Sequence, residues 1–289
     1  NFIHLYTEAK KLAFADRAKF YADPQVEKNL PIAELISKPY AAQQAKRIDM
    51  AKAAQRVPAG DPQLKHGDTI YLTAVDKDRN VVSLLESTYY GFGSGHVPGN
   101  VGFTMQNRGT LFAMDDKHHN RLEPFKRPFH TIIPAMVTKD GKPVLSFGVM
   151  GGDMQPQGHA QVLVNMIDHG MNVQEATDAA RVRHDGSDTP TGDVMTDGGR
   201  LIVESGVSDE VVAELKKRGH NVSRGGAGGG YQAIRIDHET GLLHGGSEAR
   251  KDGAAKEGKP QQFHFRNRYI MATETQALSL IHISEPTRR

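Results

Sequence analysis

The spacing of hydrophobic and polar positions at the start of the chain is that of a helix. Within residues 1–22, apolar side chains recur every three or four positions, which predicts an amphipathic helix with one buried face. The positions that define this face are Phe2, Leu5, Ala9, Leu12, Ala13 and Phe20. The chain begins with Asn1 and no start signal precedes the helix, so we expect it to be cut from a longer protein.

The pattern then changes to the alternation and β-branched content of strands. Two segments, 69–75 and 81–88, flank the polar turn residues 76–80 and predict a hairpin. Further strands are expected over 143–149, 231–237 and 242–244.

Helical segments interrupt this strand-rich region, and each has recognisable end signals. We expect helices over 157–169, 173–182 and 209–218. Asn172 and Glu175 have the spacing of a capping box, and Ser208 is a favourable N-cap for the third helix. Gly170 and Gly219 end the first and third helices. Because strands and helices do not alternate regularly, the sequence predicts an α+β protein.

The hairpin register brings two hydroxyl groups together at its open end. If Asp76 pairs with Asn80 across the turn, Thr69 falls directly opposite Ser87 on the neighbouring strand. The alternative is that both are ordinary solvent-facing strand residues without a chemical role.

Glycine-rich segments supply a second candidate site. Gly151 and Gly152 follow the predicted strand 143–149 and precede a helix, so their backbone N–H groups could bind an anion or an oxyanion. The alternative is a tight strand-to-helix connection. The loops 91–99 and 224–230 are also rich in glycine, but neither ends in the Gly-Lys-Ser/Thr of a phosphate-binding loop.

Composition excludes several classes of protein and site. The 289 residues include 36 Lys and Arg against 34 Asp and Glu, a net charge of +2 that is too balanced for a dedicated nucleic-acid binder. The absence of cysteine excludes disulfide scaffolds, thiolate zinc sites, iron–sulfur clusters and cysteine nucleophiles. The 14 histidines lack the spacing of a metal motif, so we expect no metal site.

A set of motifs, taken in order and spacing, resembles one known family. The motifs are Thr69-x-Tyr-x-Thr-x-Val-Asp76-Lys-Asp-x-Asn80, Phe92-Gly-Ser-Gly95, Lys126-Arg-Pro128, Gly151-Gly152 and Gly246-Ser-Glu-Ala-Arg-Lys-Asp-Gly253. Each is unspecific alone. Together they are similar to the gamma-glutamyltransferase (gamma-glutamyltranspeptidase) family over residues 1–255.

The resemblance implies the fold and processing of an N-terminal nucleophile hydrolase. We therefore expect a four-layer αββα sandwich, truncated at its N-terminus, from a precursor that cuts itself between Asp68 and Thr69. Residues 1–68 would be the C-terminal part of the large subunit, and 69–273 the small catalytic subunit. Residues 274–289 resemble translated sequencing-adapter read-through, and we expect a non-native tail there; a natural basic tail is the alternative.

The residue type at position 69 suits the implied chemistry. A threonine hydroxyl is a weak nucleophile, but cleavage frees an α-amine on the same residue, whose pKa of roughly 7.7–8.0 suits a general base near neutrality. The Thr69 hydroxyl would attack an amide and form an acyl-enzyme, which water or an amine would resolve. By resemblance, Ser87 supports the nucleophile, Gly151 and Gly152 form the oxyanion hole, and no cofactor is needed.

The substrate pocket departs from the glutathione-cleaving members more than the catalytic residues do. Those members have an Asn at the position of Tyr89. The segment that grips the glutamyl amino group reads Asn107-Arg-Gly-Thr-Leu111, and a serine pair becomes His130-Thr131. The segments Gln106-Asn-Arg-Gly109 and Pro128-Phe-His-Thr131 resemble the amidohydrolase-like branch of the family. The candidate substrate-binding residues are Tyr89, Asn107, Arg108, His130 and Thr131.

The motifs lead to one principal hypothesis and two alternatives. The principal one is a self-processing threonine amide hydrolase or acyltransferase, made as a zymogen, that cleaves a γ-glutamyl-type, glutathione-like amide. An amidohydrolase or acylase acting on another carboxylate-bearing amide is the first alternative. Arg108 could bind that carboxylate, unless it forms a surface salt bridge. The second alternative, from another class, is a non-catalytic binding or structural member of the family.

The expected partners are small molecules and the subunits of one precursor. We expect an amide or γ-glutamyl substrate with a water or amine acceptor, no nucleic acid and no membrane span. The protein would be periplasmic or extracellular if it is like the secreted family members, and otherwise cytoplasmic.

Overall fold

The computed structural model describes residues 1–57 and 67–256, which divide into two compact units. Each unit is assembled from separate stretches of the chain. Unit 1 contains residues 1–57, 106–130 and 180–227, and unit 2 contains residues 67–105, 131–179 and 228–256. The predicted non-native tail, residues 274–289, lies outside the described residues.

Helices and strands are mixed along the described chain. The helices are α1 (Phe2–Phe20), α2 (Ile32–Leu35), α3 (Lys38–Ala45), α4 (Met154–Ile167), α5 (Val173–Asp178) and α6 (Asp209–Lys217). The strands are β1 (Gly67–Val75), β2 (Val81–Tyr90), β3 (Ala135–Lys139), β4 (Lys142–Val149), β5 (Val182–Asp185), β6 (Arg200–Val203), β7 (Val222–Arg224), β8 (Tyr231–Ile236) and β9 (Leu243–Ser247). The predicted α+β class is confirmed. Among the described helices, none combines the length and the apolar content that crossing a membrane requires.

Unit 1 combines α1, α2, α3 and α6 with a three-stranded sheet of order β5-β6-β7. β5 pairs antiparallel with β6, whereas β6 and β7 are parallel and are connected through α6. Val203 of β6 lies in one apolar cluster with Val212 and Leu215 of α6. The helix therefore covers one face of this sheet by burying its apolar side chains.

The buried face of α1 is largely polar, so the predicted apolar face was wrong except at Leu12, which is buried, and Phe20, which is partly buried. Phe2 and Leu5 are 39% and 44% exposed, and Ala9 is exposed as well. The buried side chains are His4, Thr7, Glu8, Lys10, Lys11, Leu12, Phe14 and Ala18. The polar ones can be buried because they find hydrogen-bond partners; Lys10 Nζ, for example, donates to Ser187 Oγ at 2.7 Å.

Unit 2 is built on two antiparallel sheets. β1 and β2 form a hairpin, and four strands of order β3-β4-β8-β9 form the second sheet. Tyr71 and Leu85 of the hairpin cluster with Met150, and Val75 packs with Ile234 of β8. Apolar side chains therefore join the hairpin to the larger sheet, which α4 and α5 also contact.

Two predicted helix starts are confirmed. Ser208 Oγ accepts a hydrogen bond from the Val211 N–H at the start of α6. Asn172 Oδ1 accepts the Glu175 N–H at 2.9 Å, and the Glu175 carboxylate accepts the Asn172 N–H at 2.8 Å, which completes a capping box at the start of α5.

The start of α4 and the C-terminal end of α5 differ from the prediction. The helix expected over 157–169 is α4, which begins earlier, at Met154. The helix expected over 173–182 is α5, which ends at Asp178, so its predicted C-terminal end was wrong. Val182 is 2% exposed and pairs with β6, so sheet pairing and burial override the helical pattern there.

Candidate active site

The hairpin of unit 2 brings Thr69 and Ser87 together, as its sequence predicts. The Asp76 N–H donates to the Asn80 carbonyl at 3.1 Å, which sets the register that pairs Thr69 with Ser87. The Thr69 hydroxyl donates to Ser87 Oγ at 3.1 Å. The predicted register is therefore confirmed, and two hydroxyl groups meet beside the peptide bond that joins Asp68 to Thr69.

A β-bulge lies at the same end of the hairpin. Asp68 pairs with Tyr89 and Thr69 pairs with Ser87, so Thr88 is the extra residue of β2. Tyr89 has a φ of 79°, in the left-handed region that residues other than glycine rarely occupy. Its N–H donates to Ser87 Oγ at 2.9 Å, so the backbone also holds the hydroxyl that receives Thr69.

Tyr71 anchors the hairpin on the larger sheet of unit 2. Its side chain is fully buried, and its hydroxyl is hydrogen-bonded to Ser83 Oγ at 2.8 Å. Its ring occupies the space that a Cβ at Gly148 would need. Thr73, on the same face of β1, is hydrogen-bonded to Ser146 Oγ at 2.6 Å. Burial raises the pKa of Tyr71, which therefore stays protonated near neutral pH.

These contacts relate β1 to the end of β4. Thr73 contacts Ser146, and Tyr71, which is nearer to Thr69, contacts Gly148. Contacts of β1 that are closer to Thr69 therefore lie closer to the C-terminal end of β4. Side chains two residues apart share one face of a strand, so Thr69 continues the same row. The row leads toward Gly151 and Gly152, which follow β4 after Met150.

Gly151 and Gly152 form a left-handed turn between β4 and α4. Their φ angles are 108° and 58°. Their carbonyl groups accept the N–H groups of Met154 and Gln155, each at 3.0 Å. Within residues 1–57 and 67–256, neither glycine N–H donates a hydrogen bond, so both donors are available to an anion.

A second glycine segment approaches this turn closely. The Met150 N–H donates to the Gly230 carbonyl at 2.8 Å, and a Cβ at Gly229 would lie 3.0 Å from the Met150 carbonyl oxygen. Gly229 also has a φ of 77°. Glycine is needed here because two backbone segments meet with no room for a side chain.

Two of the predicted substrate-binding residues, Tyr89 and Thr131, belong to unit 2 together with Thr69. The Tyr89 side chain is 5% exposed, and its ring centroid lies 4.2 Å from that of Tyr90. Thr131 is 9% exposed, and its carbonyl accepts a hydrogen bond from Gln155 Nε2 at 2.7 Å.

The other three, Asn107, Arg108 and His130, belong to unit 1. Arg108 is 1% exposed, so the alternative of a surface salt bridge was wrong. Gln106 Oε1 accepts the backbone N–H of Arg108 at 2.6 Å, and Asn107 is the N-cap of a 3₁₀ turn. Desolvation lowers the pKa of His130, and the cations of Arg108 and Arg127 lower it further, which favours a neutral imidazole.

A cluster in unit 1 combines residues that no sequence motif connects. Ligand atoms of His4, Glu8 and His220 lie within 4.8 Å of one another. His4 Nδ1 and His220 Nε2 share a hydrogen bond of 2.7 Å, and Glu8 is ion-paired with Lys11 at 2.9 Å. Burial, followed by the charge of Lys11, lowers the pKa of His220 to about 3. Because the two imidazoles are bonded to each other and Glu8 is paired with an ammonium, the cluster is better suited to holding α1 in place than to binding a cation.

Comparisons with known proteins agree with the motifs. A family model described as Gamma-glutamyltranspeptidase matches residues 1–258. The glutathione hydrolase-like YwrD proenzyme of Bacillus subtilis is 38% identical over 259 residues, which cover 88% of this chain and 47% of that protein. The oxamate amidohydrolase proenzyme of Klebsiella pneumoniae is 32% identical over 256 residues, which cover 88% of this chain and 46% of that protein.

A solved structure supports the same relationship. The crystal structure of cephalosporin acylase from Bacillus halodurans matches with a TM-score of 0.73 and 39% identity, over 86% of this chain and 44% of that one. The chain thus spans about half the length of the curated relatives it matches.

Proposed function

Because this chain belongs to the gamma-glutamyltranspeptidase family, we propose that it carries the catalytic residues of a self-processing amide hydrolase or acyltransferase with a threonine nucleophile. The observation that carries this proposal is the hydrogen bond of 3.1 Å from the Thr69 hydroxyl to Ser87 Oγ. The pair belongs to the same compact unit as Gly151 and Gly152, the proposed oxyanion hole.

In the proposed self-processing step, Thr69 Oγ attacks the carbonyl carbon of Asp68. An ester bond forms between that carbon and Oγ as the peptide C–N bond breaks, and the hydroxyl proton passes to the departing Thr69 nitrogen. Water then hydrolyses the ester, which leaves a carboxylic acid on Asp68 and a free α-amine and hydroxyl on Thr69. The bulge supports this assignment because it takes the bond out of a regular ladder.

In the proposed turnover, Thr69 Oγ attacks the amide carbonyl of a substrate. The freed α-amine of Thr69 accepts the hydroxyl proton and delivers it to the leaving amine, a task that suits its pKa of roughly 7.7–8.0. The N–H groups of Gly151 and Gly152 would stabilise the oxyanion, and one such donor is worth about 3 kcal/mol. Water resolves the acyl-enzyme in hydrolysis, and an amine does so in transfer.

A γ-glutamyl-type amide, as in glutathione, is the first substrate to test. The name of the Bacillus subtilis relative favours it. Tyr89 and the His130-Thr131 pair, which differ from the glutathione-cleaving pattern, favour a second candidate, another carboxylate-bearing amide. The buried guanidinium of Arg108 is a candidate for binding that carboxylate. A binding protein without turnover is the alternative outside enzymology.

For the whole protein we propose the four-layer αββα arrangement of N-terminal nucleophile hydrolases. Residues 1–68 would come from the large subunit and residues 69–273 from the small one, both made from one precursor. The two antiparallel sheets of unit 2 and the likeness to a solved acylase support this assignment.

The intact mass of the purified chain tests the proposal. Wild-type protein is expected to give two pieces, one of which begins at Thr69. Thr69→Ala removes the nucleophile, so this variant is expected to stay in one piece and to show no turnover. Thr138→Ala, which removes an exposed hydroxyl from β3 of the same unit, is the matched control and should be cut like the wild type. Undiminished cleavage or turnover in Thr69→Ala would contradict the mechanism.

A further inference from the structure

We propose that Tyr89 is a positioning residue that acts through its backbone. Held in the left-handed region, it directs its N–H onto Ser87 Oγ and so orients the hydroxyl pair of Ser87 and Thr69. The catalytic consequence rests on the function proposed above, whereas the hydrogen-bond chain itself can be tested without turnover.

The number of lone pairs on Ser87 Oγ determines which groups donate and which accept in this series of hydrogen bonds. This oxygen accepts one hydrogen bond from the Thr69 hydroxyl at 3.1 Å and another from the Tyr89 N–H at 2.9 Å. A hydroxyl oxygen has two lone pairs, so the two donors occupy both of them. The Ser87 proton therefore points away from Thr69, and the lone pairs of Thr69 Oγ are kept for attack on a carbonyl.

The bulge holds Tyr89 in its unusual conformation. Thr88 Oγ1 donates to the Tyr90 carbonyl at 3.0 Å, and the Gly93 N–H donates to the same carbonyl at 2.7 Å. The Tyr89 ring is buried and packs against the ring of Tyr90. A residue stays in a sparsely populated region of φ and ψ only when its surroundings over-determine it, and these contacts do so.

A backbone role and a side-chain role of Tyr89 predict different rankings of the self-cleavage rates of its variants. Glycine enters the left-handed region without steric cost, whereas the β-branched side chain of valine is strongly disfavoured there. If the N–H of residue 89 is what matters, Tyr89→Gly keeps the hydroxyl pair oriented and Tyr89→Val does not. If the ring is what matters, Tyr89→Val, which keeps part of the buried side chain, is impaired no more than Tyr89→Gly.

The experiment compares self-cleavage rates of the expressed chain by intact mass. Tyr89→Val is expected to be cut at least about tenfold more slowly than Tyr89→Gly. Leu84→Val is the matched control, since Leu84 is an exposed residue of the same strand, and it should be cut at the wild-type rate. Equal rates for the two Tyr89 variants, or faster cleavage of Tyr89→Val, would overturn the proposal.

A double-mutant cycle separates positioning from general damage to the fold. In a Ser87→Ala background the group that Tyr89 orients is gone, so the Gly and Val variants should then differ by less than about twofold. A tenfold difference that persisted there would overturn the proposal.

The same cycle measured by urea unfolding reports on the hydrogen bond without any chemistry. Coupling between positions 87 and 89 is expected, and additive effects would overturn the positioning role. A wild-type chain that folds, shows the coupling and is not cut would overturn the proposed function alone.

Discussion

At the scale of single residues, the Ser87 hydroxyl is the group whose removal is most informative after that of Thr69. Ser87→Ala deletes the acceptor of the Thr69 hydroxyl, and we expect self-cleavage and turnover to fall by about 10- to 100-fold, which corresponds to about 1.4 to 2.7 kcal/mol of activation free energy. Ser87→Thr keeps a hydroxyl on Cβ and should retain most of the rate.

Rates from intact-mass time courses, with thermal melting beside them, check this prediction. Ser87→Thr should melt close to the wild type, whereas Ser87→Ala removes the acceptor of the Tyr89 N–H and should melt at a lower temperature. Equal rates for the Ala and Thr variants would show that the hydroxyl takes no part.

At the scale of elements, the contact between β1 and β4 is the packing feature that aligns the hairpin with the glycine turn. Gly148→Ala would place a methyl group in the space that the Tyr71 ring occupies, so the ring or the strand must move. Overpacking of this kind costs about 1–3 kcal/mol, and we expect the free energy of unfolding in urea to fall by that amount.

Gly226→Ala is the control for this substitution. A Cβ at Gly226 meets open space, and its backbone is not in the left-handed region. Its free energy of unfolding should change by less than about 0.5 kcal/mol. Equal losses in the two variants would mean that the contact with Tyr71 is not what makes Gly148 necessary.

At the scale of the whole molecule, buried titratable groups in both units set the dependence of stability on pH. Burial lowers the pKa of His159 to about 4 and, with nearby charges, that of His220 to about 3. Both stay neutral in the folded chain while the unfolded chain protonates them below pH 6.5. Their contribution is complete above pH 6.5 and is lost as pH falls toward these values.

Asp188 changes the pH dependence of stability in the direction opposite to that of the two histidines. Burial raises the pKa of this carboxyl, which is 1% exposed, from 3.8 to about 7. The folded chain therefore holds a proton that the unfolded chain releases, and stability from this group is lost as pH rises from about 4 to 7.

The variant Asp188→Asn tests this opposition. On acidification the histidines lower the stability of the folded chain, and Asp188 raises it. Without Asp188, the free energy of unfolding should therefore fall more steeply on acidification than in the wild type. Between pH 6.5 and 4.5, the slopes of the free energy of unfolding against pH should differ by up to about 1.4 kcal/mol per pH unit. This is the limit for a difference of one bound proton. Urea unfolding at a series of pH values measures both slopes, and parallel curves would contradict the assignment.

Local features of the fold were predictable because their causes are local. The register of Thr69 with Ser87 follows from a turn that closes within the hairpin, and alternating side chains carry it to the open end. The capping box of Asn172 and Glu175 likewise depends on residues within one helical turn. The end of α5 was not predictable, because Val182 pairs with a strand that comes later in the chain.

The sequence by itself determined the family, the hairpin, and the residue types available for the chemistry. Only the tertiary structure decided which groups are buried and what they bond to. His4 pairs with His220 across most of the chain, and Arg108 is buried rather than exposed. Spacing along the sequence reports local periodicity, whereas burial and long-range hydrogen bonds depend on where the chain returns in space. The left-handed backbone of Tyr89 belongs to the second kind, because a bulge and its packing impose a conformation that tyrosine does not favour.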